Sequence, residues 1–304
     1  MKILSIDGGG IRGIIPALVL AEIERRTGRP AAATFDLIAG TSTGGLLACA
    51  LAKPGAQSAE ELVALYETEG PRIFSRSVFQ RIRSGEGLLD EKYDASALEE
   101  VLSRYLDDAR LRDTTTDIIV TAYDTERRRP EFFKSTRARE DAARDVPLRE
   151  VARATAAAPT YFQPALVSGR PLIDGGVFAV NPGMCALAEV RRDTPGAEVV
   201  LISLGTGQLT RPFPYDEVKD WGLVEWARPL IDVVFDGASD VVDYQLTQLL
   251  GLERFFRFQT ELTNASDDLD DASEDNLRAL RLTGERLIAD RARDLDAAIA
   301  ALDG

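Results

Sequence analysis

Along this chain, short apolar runs stop again and again at glycine-rich turns. Residues 2–7 run into Gly8-Gly9-Gly10, and residues 35–40 run into Gly40-Thr41-Ser42-Thr43-Gly44. Residues 171–174 end at Asp174-Gly175-Gly176, and residues 198–204 end at Gly205-Thr206-Gly207. A helical pattern follows each turn: about 14–26, then 44–52, then a helix opened by Asn181-Pro182 and reaching about Arg192, then a long region at about 221–250. A strand that is apolar throughout is buried on both faces. Strand–turn–helix units in series place parallel strands side by side, with the connecting helices covering both faces. The pattern therefore predicts an α/β fold around a largely parallel sheet.

The remaining segments fit that frame. Ser58-Ala59-Glu60-Glu61 reads as a capping box opening a helix to about Glu69, and Asp94 or Ser96 caps another to about Leu106. Strands are predicted at 117–123 and 131–135 across a polar turn at Arg127-Arg128-Arg129-Pro130, and again near 254–260. A helix near 147–157 stops before Pro159, and a final amphipathic helix covers about 276–302. Residues 71–93 read as an irregular, locally basic segment. The acidic stretch 264–275 is too short for a domain linker, and no internal repeat appears, so one domain is expected over residues 1–304.

Composition narrows the function. The chain has no histidine, which removes the usual base near neutral pH and excludes a Ser-His-Asp triad, a Cys-His pair and histidine-based zinc sites. The net charge of −14 repels phosphate backbones, so no nucleic-acid partner is expected. Cys49 and Cys185 lack the spacing of a metal or redox pair and fit a reduced, cytoplasmic protein. No apolar run is long enough for a transmembrane segment, and the first residues do not read as a signal peptide. Any lipid contact would be local and peripheral.

Three turns carry chemistry. Gly40-Thr41-Ser42-Thr43-Gly44 is a G-x-S-x-G sequence between a buried strand and a helix, where a nucleophile elbow presents its serine at the sheet edge. Thr41 and Thr43 read as structural. Asp7-Gly8-Gly9-Gly10-Ile11-Arg12-Gly13 also joins a strand to a helix. Gly8, Gly10 and Gly13 satisfy a dinucleotide fingerprint, but that needs an acidic residue ending the next strand, and Asp36 instead lies near its start. Exposed backbone N–H groups at a helix start suit an oxyanion hole better. Arg12 either contacts a phosphate or pairs with a carboxylate. The third turn supplies the base. Gly45 occupies the lysine position of a Ser-x-x-Lys arrangement, and Lys53 lies about three helical turns beyond Ser42. Asp174, ending a strand before Gly175 and Gly176, would project from the same sheet edge as Ser42.

Together these elements resemble the patatin-like phospholipase family. Asp-Gly-Gly-Gly-Ile-Arg-Gly, the Gly-Thr-Ser-Thr-Gly elbow and Asp174-Gly175-Gly176 stand in the family's order, as do residues 154–162, Asn181-Pro182 and Ser203-Leu204-Gly205-Thr206-Gly207. The resemblance covers residues 1–207 well and the C-terminal extension of about 208–304 poorly. It implies a three-layer α/β/α sandwich and a lipid acyl hydrolase working through a Ser-Asp dyad on phospholipid or lysophospholipid. Ser42 carries over as nucleophile, Asp174 as base and Gly8 to Gly13 as the oxyanion loop. No cofactor or metal is implied, calcium included. One departure is Ala179-Val180-Asn181-Pro182, where a second small residue or Asn is expected before Asn-Pro.

Residues 71–93, with Arg72, Arg76, Arg81 and Arg83 among apolar neighbours, are the expected lid or membrane-contact surface, with a solvated loop as the alternative. Trp221, Trp226 and Phe235 read as core packing rather than a lipid groove. A soluble carboxylesterase or thioesterase, a nucleotide-binding protein and a regulated bacterial phospholipase effector are the competing functional readings.

Overall fold

The computed structural model describes residues 1–75, 93–208, 210, 212–226 and 229–303. Its strands are β1 (Lys2–Ile6), β2 (Leu37–Thr41), β3 (Asp117–Asp124), β4 (Arg129–Lys134), β5 (Ala165–Val167), β6 (Arg170–Asp174), β7 (Val200–Leu204) and β8 (Phe255–Phe258). The longer helices are α1 (Ile14–Thr27), α2 (Thr43–Ala52), α3 (Ala59–Ile73), α4 (Ser96–Leu106), α5 (Leu148–Thr155), α6 (Gly183–Asp193), α7 (Pro229–Leu250), α8 (Glu274–Asp290) and α9 (Ala292–Asp303).

One sheet runs in the order β5-β6-β3-β2-β1-β7-β8, with β4 also paired to β3. The segment β3-β2-β1-β7-β8 is parallel throughout. Strands β4, β5 and β6 add antiparallel pairs at one side. The period-two rule splits β1 and β2 between two cores. Leu4, Ile6 and Ile38 join a core formed with α1 to α5, α8 and α9. Ile3, Leu37 and Ala39 join a smaller one formed with α6 and α7. The result is a three-layer α/β/α sandwich. The C-terminal extension is part of it, because β8 extends the sheet beyond β7 in register Leu201↔Phe255 to Leu204↔Phe258.

Several boundaries differ from the sequence reading. The capping box at Ser58 forms, with Glu61 closing it, but the helix continues through Pro71 to Ile73, so residues 71–73 are not irregular. Most of the expected lid, residues 76–92 with Arg76, Arg81 and Arg83, lies outside the described residues. The final helix is two, parted at Arg291. Among the described residues, no helix is long and apolar enough to cross a membrane.

Candidate active site

The register of β3 brings the serine turn and the aspartate turn together. One edge of β3 is taken by β4 from Ile119 to Asp124. The other edge is shared: β2 pairs with it up to Thr41↔Thr121, and β6 begins at Asp174↔Ala122, the very next residue. β2 is parallel to β3 and β6 antiparallel, so their C-terminal ends point at each other. Ser42 follows Thr41 directly, and its side chain is close enough to the Asp174 carboxylate to hold that group's pKa down.

The elbow is strained. Ser42 has φ 54°, a left-handed conformation that side chains rarely adopt, and sits as N-cap of α2. The flanking glycines are there because backbones cross. A Cβ on Gly40 would strike the Gly44 carbonyl, and one on Gly44 would strike the Ile6 carbonyl. The Ser42 N–H donates to Thr155 Oγ1 at 2.8 Å. Thr41 donates to the Ala179 carbonyl at 2.6 Å and shares a hydrogen bond with Thr121, while Thr43 bonds the Tyr66 hydroxyl. Both threonines thus spend their hydroxyls on pinning the turn.

Asp174 is 4% exposed. Burial pushes its pKa up to about 6, and the nearby Ser42 side chain and the hydrogen bond from the Gly176 N–H (2.7 Å) offset part of that rise. Gly175 is forced, since a Cβ there would collide with Thr121.

The glycine loop lies against the serine: a Cβ built on Gly8 would sit 3.2 Å from Ser42 Cβ. The six residues assigned to the oxyanion loop divide sharply. The N–H groups of Gly8, Ile11 and Arg12 are engaged by the carbonyls of Val180, Leu269 and Gly9. Gly13 serves packing, because a Cβ there would strike Thr43 and Tyr66. Among the described residues, the N–H groups of Gly9 and Gly10 meet no acceptor, which leaves them as the available donors. Gly10 adopts φ 57° and leaves no room for a side chain beside Leu269, which belongs to the acidic loop. Arg12, 8% exposed, donates to the carbonyls of Gly9 (3.3 Å) and Asp267 (3.5 Å).

Sequence reasoning missed a buried polar network behind this loop. Arg257 on β8 donates to Asp7 (2.6 Å), Asp243 (3.0 Å), Ser203 (2.9 Å) and Ser239 (3.3 Å). Asn181 donates to Asp243 (3.0 Å) and accepts from the Gly183 N–H (2.9 Å). Burial raises the Asp7 pKa to about 6 despite Arg257. Thr206 donates to the Gly8 carbonyl at 2.7 Å. The available signal was Arg257 itself, a lone charge in the apolar strand Phe255-Phe256-Arg257-Phe258.

Ser42, Asp174 and the glycine loop open onto a cavity whose walls are mostly apolar side chains of α2, α3 and α4. Phe235 of α7 also lines it, so this residue belongs to the cavity and not to the core.

A strained serine at the end of a parallel strand, facing a buried carboxylate and a glycine loop, defines the class: an acyl-ester hydrolase. The chain matches the family model "Patatin-like phospholipase" over residues 4–186. It is 33% identical to Patatin-like protein 2 of Arabidopsis thaliana, over 95% of this chain and 83% of that protein. It is 32% identical to Patatin-like protein 1 of Oryza sativa subsp. indica, over 96% and 82%. A third relative, 30% identical over 95% and 86%, is named "Probable inactive patatin-3-Kuras 1" of Solanum tuberosum. Among solved structures, VipD from Legionella pneumophila aligns with a TM-score of 0.39 at 12% identity over 95% of this chain and 66% of that one, too remote to carry an argument. The chain belongs to the patatin-like phospholipase family, whose members are lipid acyl hydrolases.

Proposed function

We propose that this protein hydrolyses fatty acyl esters of phospholipids or lysophospholipids through a Ser42–Asp174 dyad, with the Gly9 and Gly10 N–H groups as the oxyanion donors. The observation that carries the reading is the register that sets Ser42 and a buried Asp174 carboxylate head to head along one edge of β3, with the Ser42 side chain acting on that carboxylate. With no histidine in the chain, that carboxylate is the base. Ser42 Oγ attacks the acyl carbonyl as its proton passes to Asp174. The carbonyl oxygen gains negative charge and is met by the loop N–H groups, each such donor being worth about 3–4 kcal/mol. The C–O bond to the glycerol breaks, and the leaving alkoxide takes the proton from Asp174. Water then attacks the acyl-serine, giving its proton to Asp174. Collapse of the second tetrahedral species releases the fatty acid and returns the proton to Ser42.

An aspartate with its pKa near 6 is a better base than an ordinary one and is still ionised at neutral pH. The whole chain acts as one hydrolase domain, since β8 and its Arg257 support the glycine loop. We place it in the cytoplasm, with transient contact to membrane surfaces where its substrate resides. The test is lipid analysis of phospholipid vesicles after exposure to wild type and to Ser42→Ala. Free fatty acid and lysolipid should appear with wild type alone. Equal lipid profiles would overturn the reading.

A further inference from the structure

The cavity beside Ser42 has a direction and an end. Leu46, Leu47 and Ala50 line it successively along α2, starting from Ser42 at the helix N-terminus. Helices α3 and α4 form the other walls and run antiparallel, since Arg72 pairs with Glu100 and Arg104 with Glu69. The near end is fixed by Tyr66, bonded to Thr43 beside the nucleophile. The far end is fixed by three contacts. Gln57, just before α3, donates to the Tyr105 carbonyl near the end of α4 (3.4 Å). Lys53, just past α2, pairs with Asp107, just past α4, at 2.8 Å. Arg149 donates to the Asp107 carbonyl at 2.9 Å. Ala50 and Leu106 line the cavity, while Lys53, three residues beyond Ala50, and Asp107, directly after Leu106, are tied to each other. The channel therefore leaves Ser42, follows α2 and closes at Ala50.

We propose that this channel measures the acyl chain, and that Ala50 and Leu106, backed by the Lys53–Asp107 ion pair, set the longest chain it accepts. The proposal rests on the acyl-hydrolase reading above. Ser42 and Ala50 stand eight positions apart on one helix, a distance of about 12 Å at a rise of about 1.5 Å per residue. Carbon–carbon bonds of about 1.5 Å advance an extended chain by about 1.3 Å per carbon. The channel thus holds about nine or ten carbons, so a decanoyl group fills it and a dodecanoyl group overruns it. Each carbon buried inside should raise kcat/KM about fourfold. Carbons beyond the stop gain nothing and must bend back or push the ion pair apart.

The test has two readouts. Wild type, Ala50→Leu and Leu106→Ala are assayed on p-nitrophenyl esters from acetate to palmitate. Free fatty acids of the same lengths are titrated into the Ser42→Ala protein, alone and combined with each variant. Wild type should peak near decanoate in both readouts. Ala50→Leu should move the peak about four carbons shorter, one helical turn toward Ser42. Leu106→Ala should move it longer. A wild-type profile that keeps rising to palmitate, or a peak unmoved in both folded variants, overturns the ruler. If no ester is cleaved yet fatty-acid binding shows the same cut-off and the same shifts, the ruler stands and the hydrolase reading falls.

Discussion

Asp174 and Ser42 stand at the ends of two strands that meet head to head along one edge of β3, opposite the consecutive residues Ala122 and Thr121. The separation of the proposed nucleophile and base is thus set by sheet hydrogen bonding and not by a loop, which is the rigid support such geometry requires. Removing either functional group should leave that scaffold intact. Ser42→Ala should abolish ester hydrolysis, and Asp174→Asn should lower kcat by about 10²–10⁴-fold, the usual contribution of a general base. Both variants should keep the wild-type circular dichroism spectrum. Near-normal turnover in Asp174→Asn would remove it as the base.

The pKa of Asp174 sets a pH dependence with a definite sign. The base form is the carboxylate, so kcat/KM should fall as pH drops through about 6. Stability should show the opposite trend. A folded pKa of about 6 against an ordinary 3.8 means the folded protein prefers the protonated group. That contribution is fully present below about 3.8 and is lost as pH rises through about 6. At pH 8, keeping Asp174 ionised therefore costs roughly 3 kcal/mol. Asp174→Asn should unfold at higher urea than wild type at pH 8 and lose most of that advantage near pH 4. Equal midpoints at both pH values would contradict the burial argument.

Much of this site could be read from the sequence, because its parts are local. An apolar strand, a glycine where backbones cross and a helix start are each written within about ten residues, so both turns and the glycine loop were legible. Two kinds of information were not. One is register: nothing local says that β6 continues the edge where β2 stops. The other is long-range polar packing. Arg257 and Asp7 are 250 residues apart. The acidic stretch at 264–275 read only as a short loop, yet the Leu269 carbonyl accepts from the Ile11 N–H at 2.8 Å, and Asp270 accepts from the Tyr93 hydroxyl at 2.5 Å. Which of the loop's N–H groups remain free depends on such partners.

Thr155 offers a selective test of the elbow. Its hydroxyl is fully buried and accepts the Ser42 N–H. Thr155→Val keeps the shape and removes the acceptor, leaving a buried N–H unpaired at a cost of about 1–3 kcal/mol. Urea unfolding should show that loss. The strained φ of Ser42 should also relax, lowering kcat more than it raises KM. A change in KM alone would show that the hydroxyl serves substrate binding instead.

Arg257 should matter to both stability and rate. It is the cation shared by Asp7 and Asp243, and Asp7 is the residue from which the glycine loop departs. Arg257→Met preserves much of the side chain's bulk but leaves the buried Asp7 carboxylate and the partly exposed Asp243 carboxylate without their shared cation. Breaking a buried ion pair from one side typically costs about 3–5 kcal/mol. Asp7 would answer by taking up a proton at higher pH, since burial already lifts its pKa to about 6 with the guanidinium present. The variant should therefore be least stable relative to wild type above pH 7 and recover toward pH 5, where Asp7 is neutral. Its kcat should fall through misplacement of the Gly9 and Gly10 donors, and Arg257→Lys should restore part of both losses. Urea titrations at the two pH values, paired with kcat on one soluble ester, check this. A stability loss independent of pH would mean that Arg257 acts through packing and not through its charge on Asp7.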